Sequence, residues 1–215
     1  MLQNREMIIT VFGSTGSMGR ELVKQALFKH HQVRAYGRHV HTTNYTPSDR
    51  LVTIPGTLFD DKQVLNALQG ADAVMLALDS AADGVDKTRS LGVKHIIAQM
   101  QNAGVTRIMA ICGMGILTSE TGKLIMEEPG FPPELMPIAT EDRLVYNQLG
   151  VSGLEWTIMA PPLIKEGSPT GTYFIGKDTL PSPNNYFVYS GDLALFMVNE
   201  LERKNLLYSR IGISS

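Results

Sequence analysis

The chain has 215 residues, 43% of them hydrophobic, with a formal net charge of -2 and a sequence pI near 6.2. This length suits one substantial core rather than two full domains, and the scattered basic residues create no field for nucleic acid or anionic lipid. A lone cysteine, Cys112, rules out an internal disulfide, no apolar run approaches the ~20 residues that span a bilayer, and Met1 to Glu6 lacks a secretory apolar region; a cytoplasmic protein with neither nucleic-acid nor membrane partners is expected.

Met7 to Phe12 reads as a strand that delivers the chain to Gly13-Ser14-Thr15-Gly16-Ser17-Met18-Gly19. A turn of this kind between strand and helix has the form of a dinucleotide-binding loop. Absent side chains admit a pyrophosphate to the backbone, and the next helix supplies N–H donors and positive dipole. From Arg20 a helical pattern carries Leu22, Val23, Ala26 and Leu27 on one stripe and ends near His30 and His31. A second strand, Gln32 to Tyr36, precedes a connection to Leu51 whose Gly37, Asn44, Pro47 and Ser48 predict loop rather than crossover helix.

Strands follow at Leu51 to Ile54, Ala73 to Leu78, Arg107 to Cys112 and Trp156 to Met159. They alternate with helices at Asp61 to Leu68, Leu91 to Asn102 and Thr140 to Leu149, the last two ending at Gly104 and Gly150. Ser190 is placed to N-cap a final helix with Asp192 in its first turn, reaching about Glu202, before an apolar ending through Ile211 and Ile213. The alternation predicts one doubly wound α/β domain over residues 1–215, with a mostly parallel sheet.

Two stretches break the rhythm: residues 113–137 and 161–183, both interrupted by proline and glycine and both following sheet strands. Loops at the carboxyl ends of strands line the ligand crevice of an open α/β sheet, so these are either substrate walls or plain surface excursions. The second strand ends at Gly37 and Arg38, with no acidic residue before Asp49. A carboxylate at this point would favour NAD; an arginine suits the 2′-phosphate of NADP, the alternative being a solvated surface charge. NADP(H) is therefore the expected cofactor, with NAD(H) also open.

The glycine turn, the Gly37-Arg38 strand end and the segment Ser152 to Pro162 together resemble the atypical short-chain dehydrogenases, within them the NAD(P)H-binding group of NmrA-like proteins and flavin reductase/biliverdin-IXβ reductase. The likeness extends to the Ser190-Gly191-Asp192 helix start and implies a Rossmann-type domain. It implies that Gly13, Ser14, Thr15, Gly16, Ser17 and Met18 cradle the pyrophosphate, Arg38 holds the 2′-phosphate, and Leu58 and Phe59 lie near the adenine. It likewise implies that Ala77, Leu78 and Asp79 flank the adenine-side ribose, that Cys112, Gly113 and Met114 approach the nicotinamide ribose, and that Pro161, Pro162 and Leu163 back the nicotinamide ring.

The departures bear on mechanism. Ordinary short-chain dehydrogenases pair a tyrosine with a lysine four residues later, and no tyrosine here has that partner; Tyr146 is followed by Gly150. Gly113 stands where flavin-reductase-like members place a serine, and Asp142 where NmrA-like relatives often have lysine. Tyr146 is a candidate proton donor or a packed aromatic. Cys112 lacks an activating base, and His30, His31, His39 and His41 lack the constellation of a metal site. Met109, Met114, Met126, Met136 and Met159 are core filler or the wall of a flat apolar pocket.

The leading expectation is an NADPH-dependent oxidoreductase that passes hydride to a flavin, quinone or related conjugated small molecule, which needs no obligatory protein acid. The contrasting reading is a non-catalytic NmrA-like sensor of NAD(P) status that acts on a protein partner. A sugar-nucleotide epimerase or dehydratase is third, since it needs the absent tyrosine base and a larger substrate domain.

Overall fold

In the computed structural model, residues 5–79 and 86–215 are described. Its elements, in chain order, are β1 (Ile8–Phe12), α1 (Ser17–Phe28), β2 (Gln32–Gly37), β3 (Leu51–Pro55), α2 (Asp61–Leu68), β4 (Ala73–Leu76), α3 (Thr88–Ala103), β5 (Arg107–Ile111), α4 (Met136–Gly150), β6 (Glu155–Met159), β7 (Ile164–Lys165), β8 (Phe174–Lys177), β9 (Val188–Tyr189), α5 (Ser190–Arg203) and β10 (Ser209–Ser214). Eight strands form one sheet in the order β3-β2-β1-β4-β5-β6-β10-β8, parallel throughout except for β8, which runs antiparallel to β10 at one edge. The strand order reverses between β1 and β4, the position where open α/β sheets bind ligands.

Alternation along each strand sorts side chains into two cores. Ile9 and Val11 of β1 join Val33, Ala35, Met75 and Met159 under α1 and α5, whereas Phe12, Tyr36, Val74, Leu76 and Ile108 face α2, α3 and α4. Burial on both faces is what makes these strands near-continuous apolar runs. Thr10, the polar residue within β1, is fully buried and satisfied: its hydroxyl donates to the Ala67 carbonyl at 2.8 Å. Among the described residues no helix is long and apolar enough to cross a membrane.

The sheet departs from the sequence-based expectation chiefly in its second half. α3 begins at Thr88 and not Leu91, and α4 begins at Met136, so Pro137 lies in a first helical turn, where proline costs no hydrogen bond. The 113–137 stretch is therefore shorter than expected, and it contains three 3-10 turns and a Thr118–Leu124 bridge. Gly104 does stop α3 in the left-handed region, at φ +71°, but Gly150 is still helical and the left-handed residue after α4 is Gly153. The 161–183 stretch supplies β7 and β8, strands too short for periodicity to reveal. The apolar ending is β10, every residue of which is buried between β6 and β8.

Ser190 does not cap α5. Tyr189 is the N-cap residue, and the Ser190 hydroxyl instead meets the backbone of Gly167 at 3.3 Å. Asp192, fully buried, reaches back across the same gap: its carboxylate accepts from the backbone N–H groups of Thr170 and Gly171, each at 2.8 Å, and from the Thr170 hydroxyl at 2.7 Å. These bonds strap the loop after β7 to α5. Hydrogen bonds to a charged group contribute about 1.5–3 kcal/mol. Asp192→Ala is accordingly expected to lower stability by about 2–3 kcal/mol in urea unfolding, with new proteolytic cleavage confined to residues 166–172.

Candidate functional site

At the end of β1 the chain turns through Gly13 at φ +76°, where a Cβ would collide with the Ala77 carbonyl at the end of β4. A Cβ on Gly19 would in turn strike the Gly13 carbonyl, so α1 packs directly onto the turn that precedes it. The Gly16 N–H bonds the Gly13 carbonyl at 3.2 Å. Gly16 is also the N-cap of α1; it has no side chain to cap with, and no acidic residue occupies the first turn. The N–H groups opening α1 thus keep their donors and positive dipole for a ligand anion. Ser14 instead holds the turn in place. Its buried hydroxyl donates to the Tyr36 carbonyl at 3.0 Å, and its own carbonyl accepts from the Tyr45 hydroxyl at 2.7 Å, clamping the turn to β2 and the loop beyond.

Two cavities open from this turn along the carboxyl ends of the strands. The first, about 340 Å³, is bounded by Thr15, Gly16, Arg38, Leu58, Phe59 and Ala77. Phe59 is 50% exposed and meets His95 edge-on at 5.7 Å, presenting a flat apolar face. The guanidinium of Arg38 is exposed and has no ion-pair partner among the described residues. Tyr36 braces this wall by donating its hydroxyl to the Thr57 carbonyl at 2.7 Å. Burial, with the charge of Asp60, pushes its phenol up to about 12.

The second cavity, about 440 Å³, is bounded by Met18, Cys112, Gly113, Pro161, Pro162 and Leu163, and it shares Ala77, Leu78 and Asp79 with the first. The two are halves of one groove that crosses the β1/β4 switch point. Three residues that the family resemblance names do not line it. Ser14 is the clamp described above, Ser17 lines a neighbouring cleft behind α1, and Met114 packs against the core. Tyr146 lies elsewhere: its ring packs edge-on against Trp156 at 5.9 Å and beneath the Arg210 guanidinium at 4.7 Å.

Sequence reasoning misses the charged pair in the second half of the groove. Asp142 of α4 is 1% exposed and Arg89 of α3 is 12% exposed, and the two side chains form an ion pair. The other carboxylate oxygen of Asp142 accepts the Gly113 N–H at 2.8 Å. Burial pushes the Asp142 carboxyl above its ordinary value, against the pull of Arg89 and the Gly113 N–H. Burial likewise pushes the Cys112 thiol well up, with Asp142 adding to the effect, which disfavours the reactive thiolate. The only signal in the sequence is Asp142 itself, which the family resemblance marks as a departure; Arg89 escapes notice because a helix begun at Leu91 leaves it outside. Of the histidines, His31 is buried and accepts the Met7 N–H on Nδ1 at 3.3 Å.

The NAD(P)H-binding family model matches residues 13–204. The uncharacterized protein YwnB of Bacillus subtilis is 26% identical over 217 residues, covering 97% of this chain and 99% of YwnB. Among solved structures, a candidate epimerase of Bacteroides thetaiotaomicron superposes with TM-score 0.85 at 24% identity, over 98% of this chain and 97% of that one. A candidate NADH-flavin reductase of Streptococcus pneumoniae gives 0.82 at 24% identity, over 97% and 99%. At such identities the structures establish the shared fold.

The folded state favours the neutral Tyr36 phenol, so the stability it contributes is complete below pH 10 and lost as pH rises through about 12. Tyr36→Phe is expected to cost about 1 kcal/mol at neutral pH for the lost bond to Thr57, and to flatten the decline in stability across that alkaline window in pH-dependent urea titrations.

Proposed function

The chain belongs to the NAD(P)H-binding family, and from that premise we propose that it is an NADPH-dependent reductase of a flavin, quinone or related conjugated small molecule. The observation that carries this reading is the second half of the groove, where Met18, Ile111, Ile138, Pro161, Leu163 and Ile164 make an apolar wall with no tyrosine–lysine pair. A flat conjugated acceptor fits such a wall, and it takes its proton from solvent. Gly113, at the start of the loop after β5, and Pro161 to Leu163, after β6, bound it on two sides.

The glycine turn fits a dinucleotide, because the absence of a Cβ at Gly13 and Gly19 lets the turn pack between β4 and α1, and the uncapped N–H groups that open α1 stay free for a phosphate. The N–H groups from Gly16 to Met18 hold the pyrophosphate, Arg38 the 2′-phosphate, and Leu58 and Phe59 the adenine. Cys112, Gly113 and the Pro161 to Leu163 segment hold the nicotinamide end. When bound, the reduced cofactor supplies a hydride. The absent tyrosine–lysine pair also favours a second reading, a sensor that reports NAD(P) status to a protein partner.

Stopped-flow absorbance of bound NADPH against a panel of flavins and quinones separates the two. The reductase oxidises NADPH well above the protein-free rate with at least one acceptor; a sensor binds both redox forms, turns nothing over and retains a cofactor-dependent partner. For the cofactor itself, Arg38→Ala is expected to weaken NADPH binding by about 1.5–3 kcal/mol while sparing NADH, measured by fluorescence titration. Equal losses for both cofactors would remove Arg38 from the phosphate site.

A further inference from the structure

Among the described residues that line the second half of the groove, Arg89 is the one cation. It stands in the first turn of α3, and its guanidinium reaches over the ends of β4 and β5 to Asp142 on α4. Only Nη1 is engaged there, by Asp142; Nε is buried and has no hydrogen-bond partner. Fastening α3 to α4 does not account for this arrangement. The same two helices are already joined by Glu141, whose carboxylate accepts the Ser90 N–H at 3.0 Å and lies 3.3 Å from the Lys87 ammonium. A buried polar atom left unpaired costs about 1–3 kcal/mol, and a catalytic role is one of the reasons for which such a cost is kept.

Asp142 cannot be the group that meets the acceptor. One of its oxygens is taken by the Gly113 N–H and the other by Arg89, and it is almost fully buried. Arg89 is the more exposed partner, and Asp79, the other acid near it, also lines this half of the groove. The guanidinium is therefore anchored on its Asp142 side and open on the side of the groove where a conjugated acceptor is placed.

We propose that Arg89 is a catalytic residue that stabilises the negative charge developing on the acceptor, and that the acceptor is of the class that gains an anionic oxygen or ring nitrogen on reduction. This rests on the reductase reading. The acceptor takes a hydride, one proton with two electrons, from the reduced dinucleotide, which leaves oxidised. The new C–H or N–H bond displaces an electron pair onto the acceptor's carbonyl oxygen or conjugated nitrogen, Arg89 pairs with that anion, and a proton from water completes the neutral product. A cation fixed in place by its ion pair does this without reorganising during the reaction. It supplies the electrostatic part of what related enzymes achieve with tyrosine and lysine, and leaves the proton to solvent.

The test uses 4-nitrophenol, whose anion mimics the reduced acceptor and whose ionisation is visible by absorbance, titrated against NADP+-saturated protein. The wild type is expected to lower the apparent pKa of the bound phenol by about one unit or more, the effect of a neighbouring opposite charge. Because Arg89→Met alone leaves Asp142 as an uncompensated buried charge and can unfold the chain, the comparison is with Arg89→Met/Asp142→Asn, which removes both charges, and with Arg89→Lys, which keeps one. The double variant is expected to lose the shift and Arg89→Lys to keep part of it.

In stopped-flow quinone reduction the double variant is expected to lose about 100-fold in kcat while its NADPH affinity changes by no more than about twofold. An absent shift in the wild type, for want of binding included, or a shift that the double variant retains, overturns the proposal. Turnover that ignores Arg89 in both measurements overturns it while leaving the reductase reading intact. An Arg89-dependent shift without turnover of any acceptor establishes the anion site and discards the reductase reading.

Discussion

The groove depends on one close approach: the Gly13 turn lies directly against the Ala77 carbonyl, with α1 packed on that turn at Gly19. Neither apposition leaves room for a Cβ, so two missing methyl groups set the distance between the end of β1, the end of β4 and the start of α1. Because β1 and β4 are the strands at which the sheet order reverses, the helices that follow them, α1 and α3, lie on opposite faces of the sheet. Two cavities result, one reaching to Arg38 and the other to Leu163, and they meet at Ala77, Leu78 and Asp79. The unsatisfied N–H groups of α1 lie at the middle of the groove, which is where a helix dipole can act on a diphosphate.

Around this centre the second half of the chain is held by buried polar side chains more than by apolar periodicity. Arg107, on β5, gives Nη1 to the Glu155 carbonyl and the Thr157 hydroxyl of β6, and burial draws its guanidinium down to about 10. Arg210, on β10, ties Asp178 to Thr118 and covers the Tyr146 ring, so the loop after β5 and the edge strand β8 hang from one residue. Asp192 does the same for the loop after β7, and Asp142 for the Gly113 backbone. Arg210, Asp192 and Asp142 each bind loop backbone, at Ile116, at Thr170 and Gly171, and at Gly113, the condition on which irregular chain is tolerated next to a core. Of these residues Asp142 also lines the groove.

Those charges mark the boundary of what pattern reading reaches. The first six strands of the chain and the helices between them are apolar runs and stripes bounded by glycine, and Gly13, Gly104 and Arg38 are local signals whose meaning depends on immediate neighbours. β8 and β10 are different. FIGK and SRIGIS are strands because they pair with each other, and β10 with β6, at long sequence separation. Ser190 and Asp192 have the chemistry of a helix start, yet in the fold they bind the Gly167 to Gly171 backbone. Tyr146 has the chemistry of a proton donor, but Trp156 and Arg210 are packed on its ring.

The amino-acid sequence by itself determined the doubly wound sheet, the dinucleotide turn and the strand end that bears Arg38, because each rests on spacing within a few residues of one strand or helix. Only the tertiary structure decided the half of the groove that holds Arg89 and Asp142. Arg89 and Asp142 come from separate helices 53 residues apart and meet Gly113 from a third segment. Their ion pair exists because α3 and α4 pack side by side over β4 and β5, and no local propensity encodes which charges will face each other across that contact.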